Sequence, residues 1–99
     1  MVKAEYDSEA RAMFITLVDE EWVAAPVADI TEFVFVHRDI TGRPVGIEII
    51  EVPRVSDADV VVAANRCAVC PEHVLACRDA ALRAPDCAVT LTFAGAIAA

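Results

Sequence analysis

The chain is short of positive charge. Eight Lys and Arg residues stand against 16 Asp and Glu, which leaves a net charge of −8 over 99 residues. The basic residues form no stripe, which argues against nucleic acid or an anionic membrane surface as a partner. Long apolar runs are also missing, and none approaches the roughly 20 residues needed to span a bilayer. The opening residues, Met1-Val2-Lys3-Ala4-Glu5-Tyr6-Asp7, lack the apolar core of an export signal. These absences predict a cytoplasmic protein. Its four cysteines, Cys67, Cys70, Cys77 and Cys87, are then expected as reduced thiols or metal ligands and not as a disulfide framework. With no internal repeat and no low-complexity linker, residues 1–99 read as one domain. A sheet-forming part covers 1–55, and a helical, cysteine-bearing extension over 56–99 ends in a strand.

Hydrophobic residues make up 58% of the chain, above the ~45–50% usual for globular proteins. Much of the excess is Ala and Val. A subunit interface would account for part of it, so a homodimer burying one apolar sheet face is expected. The acidity is uneven: residues 1–59 carry the whole net charge, and residues 60–99 balance to zero. This asymmetry suits a cationic protein partner, and solubility alone would also explain it.

The stretch from Asp39 to Val52 organises the rest. Asp39-Ile40-Thr41-Gly42 has the chemistry of a type I turn closed by a bulged glycine, with Asp39 accepting backbone bonds and Gly42 taking the left-handed conformation. Carried outward, that turn sets Asp39 opposite Arg43, His37 opposite Val45, Phe35 opposite Ile47 and Phe33 opposite Ile49. Val36 then meets Gly46 and Val34 meets Glu48 on the other face. Phe35 and Ile47 are expected as a core pair.

Alternation predicts further strands over Val2–Tyr6, Ala12–Val18 and Cys87–Phe93. Trp22–Ile30 is ambiguous, and Pro26 argues for an edge position there. Ser56 with Asp59 reads as a helix start, although Val60-Val61-Val62 would suit a strand. Pro71 opens a second helix running to about Arg83, with Cys70 as N-cap and Val74, Cys77 and Ala81 as the inner stripe. The tail after Gly95 is expected to fray. The fold class is α+β: a small antiparallel sheet of four to five strands with two short helices packed on one face.

Tyr6-Asp7-x-x-Ala10, followed by Ala12-Met13-Phe14-Ile15-Thr16-Leu17, and Gly42-x-x-Val45-Gly46-Ile47-Glu48-Ile49 after an acidic turn together carry a resemblance. Residues 3–52 resemble the domain-of-unknown-function family 2283, a family of short bacterial proteins. The resemblance implies a small antiparallel sheet and brings no catalytic residues. His37 stands where that family usually has an acid, and the segment 56–99 extends beyond the family core.

Candidate catalytic residues are Glu48, His37 and Cys70. Glu48, between Ile47 and Ile49, could act as acid or base in a covered face, or simply point to water. His37 could equally be a structural residue near the hairpin tip. In the expected register the two lie on opposite faces, so no His–Glu dyad forms within one subunit. Cys67-x-x-Cys70-x-x-His73-x-x-x-Cys77 is the sharpest motif. Three thiolates and an imidazole could hold zinc. Cys70 at a helix N-terminus could instead be a reactive thiol, or all of these could be small buried hydrophobes. The alternation of Cys87 with Val89 and Leu91 favours burial for Cys87 as well. No cofactor is required by the sequence, and zinc is the one the donor set would take. The leading expectation is a small acidic binding or accessory module that self-associates and engages a protein or small ligand. The competing class is a small enzyme with a pocket at a subunit interface.

Overall fold

The computed structural model describes residues 1–93. Six strands form one sheet: β1 (Val2–Asp7), β2 (Ala12–Thr16), β3 (Ala28–Asp29), β4 (Val34–Arg38), β5 (Pro44–Ile49) and β6 (Ala88–Leu91). Their order is β3-β4-β5-β2-β1-β6, and every neighbouring pair is antiparallel. The class is α+β as expected, with six strands where four or five were anticipated. The added strand is β3, two residues from the ambiguous stretch, and it lies at an edge as Pro26 implied. The tail after Gly95 lies outside the described residues.

Two helices cover one face. Helix α1 (Asp57–Arg66) forms despite its three valines because Ser56 Oγ accepts a bond from the Asp59 N–H at 3.3 Å, and because Val60, Ala63 and Ala64 are buried on one stripe. It ends at Cys67, where Ala68 takes a left-handed conformation (φ 55) and the N–H of Val69 returns to the Ala64 carbonyl at 3.1 Å. Helix α2 (Pro71–Arg83) opens on proline, which lacks the N–H a first helical residue does not need. Its buried residues are Val74, Cys77 and Ala81, the expected stripe. Against these helices lie Val2 and Ala4 of β1, Met13 and Ile15 of β2, Val34 and Val36 of β4, and Ile47 and Ile49 of β5, all fully or almost fully buried. Each large aliphatic side chain in this set contributes roughly 1.5–3 kcal/mol by leaving water. Residues from both the sheet-forming part and the cysteine-bearing extension share this one core cluster.

The central hairpin corrects the expected register. The turn itself is as anticipated: Asp39 N–H donates to the Arg43 carbonyl at 2.9 Å, Gly42 N–H donates to the Asp39 carbonyl at 2.9 Å, and Gly42 has φ 91. Beyond it, Arg38 pairs with Pro44 but His37 pairs with Gly46, so Val45 is an extra residue forming a β-bulge. Every later pair is displaced by one. Phe35 faces Glu48, Val36 faces Ile47 and Val34 faces Ile49. Phe35 and Ile47 are therefore not a core pair, and they lie on opposite faces. The bulge sorts the hairpin: Val34, Val36, Ile47 and Ile49 go to the helices, while Phe35, His37, Gly46 and Glu48 go to the other side. The hairpin is thus apolar on one face and mixed on the other.

Cys87 also departs from expectation. It is exposed, because β6 begins only at Ala88, after a turn in which Asp86 has φ 64 and donates its N–H to the Tyr6 carbonyl at 2.7 Å.

Candidate functional site

No helix lies on the face of the sheet opposite α1 and α2 among the described residues, and its side chains form a pattern. Cross-strand pairing sets Glu5, Phe14, Glu48, Phe35 and Asp29 in one row across five strands. Carboxylates and phenyl rings alternate along that row. The next row holds Lys3, Thr16, Gly46 and His37. Directly opposed or diagonal side chains on one sheet face are close enough to interact, and here they do.

Phe14 is the centre. A Cβ added to Gly46 would stand only 2.4 Å from Phe14 Cζ, so the ring lies directly over the glycine. Gly46 thus has a packing role, since any side chain would displace the ring. The Phe14 ring meets the His37 ring edge-on at 5.1 Å between centroids, and Trp22 stacks over it at 6.5 Å with a 12° interplanar angle. Trp22 comes from the irregular segment after β2. That segment is tied to the hairpin by bonds from Leu17 N–H to the Val45 carbonyl, from Ile40 N–H to the Val23 carbonyl and from Ala25 N–H to the Arg38 carbonyl. An ion pair between Arg43 and Glu20 secures the same segment and holds the Glu20 carboxyl below its ordinary range.

His37 Nε2 lies 2.9 Å from Glu48 Oε1. This corrects the expectation that the two residues face apart: the bulge brings His37 and Glu48 onto one face, on adjoining rows. A carboxylate only accepts, so Nε2 donates and Nδ1 of the neutral ring is left as an acceptor. The His37 side chain is 16% exposed and that of Glu48 39%. Beside Glu48 is a depression of about 480 Å³ lined by Glu5, Asp7, Ala12, Phe14, Glu48 and Asp86, among others. Asp7 is committed to its own turn, accepting from the N–H groups of Glu9 and Ala10 at 3.0 Å each. Asp86 accepts from the hydroxyl of Ser8 at 2.7 Å and from its N–H at 2.9 Å, and these bonds hold its carboxyl below the usual range. Glu5 has no such partner among the described residues. The depression is therefore acidic and bordered by two aromatic residues, Tyr6 and Phe14, and among the described residues no Lys or Arg lines it.

The cysteine motif is not assembled. Among the described residues, no group of three His, Cys, Asp or Glu side chains converges as metal ligands. Cys77 turns to the sheet, where its thiol donates to the Val2 carbonyl at 3.4 Å and burial pushes its pKa up. Cys67 is buried at the end of α1, and desolvation pushes its pKa up to about 11. The His73 ring instead stacks on Phe93 at 3.8 Å, 6° from parallel, with Nδ1 buried and unbonded. Cys70 is half-buried at the N-cap of α2 and makes no side-chain capping bond. Helical spacing put these residues near one another in sequence, but Cys77 is turned to the sheet and His73 to Phe93.

Sequence reasoning singled out His37 and Glu48 separately and missed Phe14 and Glu5. The available signal was Gly46, since an isolated glycine in a strand marks a bulge or a close approach. It proves to mark both. Comparison of the chain with protein-family models, with curated proteins and with solved structures finds no match.

Proposed function

We propose that the protein is a small acidic binding module that self-associates and takes a positively charged segment of a partner protein on its open sheet face. The observation that supports this reading is the alternating row of carboxylates and rings, Glu5-Phe14-Glu48-Phe35-Asp29, beside an acidic depression. A guanidinium or ammonium group fits such a row twice over, through the carboxylates and over the ring faces. Within the chain, the Arg54 guanidinium already lies 4.9 Å from the centroid of Phe33. The same reading places the module in the cytoplasm, which four free thiols support; among the described residues no helix is long and apolar enough to cross a membrane. Kinship with the domain-of-unknown-function family 2283 over residues 3–52 belongs to this proposal and rests on the motifs alone.

Titration with a hexa-arginine peptide at 150 mM salt tests the reading. Saturable binding that weakens at least tenfold in Glu5→Gln/Glu48→Gln, but not in the charge-matched control Glu9→Gln/Glu32→Gln, is expected. Equal weakening in the control would reduce the effect to net charge and overturn the proposed face.

One observation favours the enzyme class as a second reading. The His37–Glu48 pair is built like the base and orienting partner of a proton-transfer site. The role this reading gives the pair is proton abstraction from a bound ligand. Activity abolished by both His37→Ala and Glu48→Gln, on any substrate, would move the protein to that class.

A further inference from the structure

The two edges of the sheet are protected very differently. The β3 edge is two residues long, carries Asp29 and follows Pro26 closely. Short length, charge and proline are the usual devices that stop a sheet edge from pairing with another chain. The β6 edge is twice as long and carries no charged residue or proline within Ala88–Leu91, with Pro85 and Asp86 standing before it. It runs regularly against β1 over Ala88–Leu91, and among the described residues nothing pairs its outer side. Half of an edge strand's N–H and C=O groups point outward, ready to bond another strand. The sequence around it, Cys87-Ala88-Val89-Thr90-Leu91-Thr92-Phe93, is uncharged and rich in residues that favour strands.

Charge selects the occupant. Two copies of a chain at −8 repel wherever their acids meet, and residues 87–99 contain no charged residue at all. The flank of α2 beside this edge carries no net charge: Glu72 and Arg83 stand at its two ends, with small residues between them. The stacking of His73 on Phe93 turns that flank toward the end of β6. Ala76 and Ala80 follow His73 at helical spacing and are half-buried. Arg78 points away from this flank, to Asp57 of α1 at 2.7 Å.

We propose that two copies of this chain join antiparallel through their β6 edges, so that two six-stranded sheets become one continuous sheet, with Ala76 and Ala80 of each α2 flanking the seam. The assembly rests on the self-association proposed above and supplies its surface. A two-fold axis at the seam sets each strand against its own copy, so one neutral, strand-forming segment provides both halves of the interface. Small residues on α2 let the two helices approach across the seam. The open faces of both copies stay on the same side of the joined sheet, which doubles the acidic row without covering it. The seam is short, so the dimer is weak, with a Kd on the order of 1–100 μM.

The test uses the whole chain and the variant Thr90→Glu. Thr90 is exposed and stands opposite Lys3 of β1. A carboxylate there pairs with Lys3 inside one copy but adds like charge beside the seam. Sedimentation over a concentration series should take the wild type from 10.6 kDa toward twice that mass, and Thr90→Glu should need at least tenfold higher concentration for the same shift. Amide hydrogen exchange on the wild type, free of any folding defect in the variant, should slow over residues 88–91 as concentration rises. Dimers whose β6 amides exchange at a concentration-independent rate would overturn the seam while leaving self-association standing. A monomer at every concentration up to the millimolar range would overturn both.

Discussion

The helix-covered face and the open face are made by the same strands, one residue out of phase, and they are held by different physics. On the covered side Met13, Ile15, Val34, Val36, Ile47 and Ile49 lose all or nearly all contact with water, and the energy is that of apolar burial. On the open side Phe14, Phe35, His37 and Glu48 remain partly exposed. Their arrangement depends on specific pairs: a ring over a glycine, an imidazole on a carboxylate, an indole on a phenyl ring. A face fixed by burial resists substitution in proportion to volume. A face fixed by pairs can lose one member with little cost in stability and a large change in what it presents.

The largest expected effect breaks the covered face. Ile47→Ala should cost about 2–5 kcal/mol, as deletion of a fully buried aliphatic side chain does, and lower the melting temperature by at least ~10 °C. Phe35→Ala, one strand over and on the open side, should cost less than half as much despite the greater volume removed. Calorimetry of the two variants compares them directly, and the reverse order would overturn the bulged register. Gly46→Ala tests the pair physics. The new methyl must push the Phe14 ring aside, at about 1–3 kcal/mol for overpacking, and the fluorescence of Trp22, stacked on that ring, should change with it.

Two smaller effects sharpen the contrast between buried and exposed groups. With a bulky thiol reagent at pH 7, Cys87 should react quickly, Cys70 more slowly, and Cys67 and Cys77 only after unfolding. The pKa of Cys67, pushed up to about 11 by burial, leaves almost no thiolate to react. Rapid reaction of four thiols in the native protein would contradict the burial of the core pair. The smallest effect is in acid. The Thr41 hydroxyl, then the Arg43 and Thr41 N–H groups, hold the Asp39 carboxyl below its ordinary value. A carboxyl with a lowered folded value contributes stability fully above its unfolded value of about 3.9 and loses that contribution as pH falls through the folded one. Urea unfolding of wild type and Asp39→Asn should therefore show a gap at pH 7 that narrows by pH 3.

The turn at Asp39, both helices and the stripe Val74, Cys77 and Ala81 were legible in the sequence, because each is decided by local chemistry: a cap, a proline, a helical period. Register was not legible past Val45. A turn dictates pairing only as far as the next irregularity, and hydrophobic alternation around Val45-Gly46-Ile47 is silent about a bulge when all three residues are buried. For that reason His37 and Glu48 were each identified as candidates while their meeting was not. The cysteine motif failed for the converse reason: spacing along a chain sets proximity, but side-chain direction is set by what each residue packs against, and for Cys77 that is the sheet. β3 carries too few residues for any pattern to show.

The bulge also decides where this hairpin can change length. Remove Val45, and Arg38 still faces Pro44, His37 still faces Gly46, and every pair beyond them is kept. Insert one residue between Ile47 and Ile49, and the remainder of the strand rotates by half a period, sending Ile49 to the solvent and a polar neighbour toward the helices. Among the residues of β5, Val45 is thus a position whose deletion keeps both these pairs and the glycine beneath the Phe14 ring, and a lineage that drifted in length within this strand would be expected to do so there.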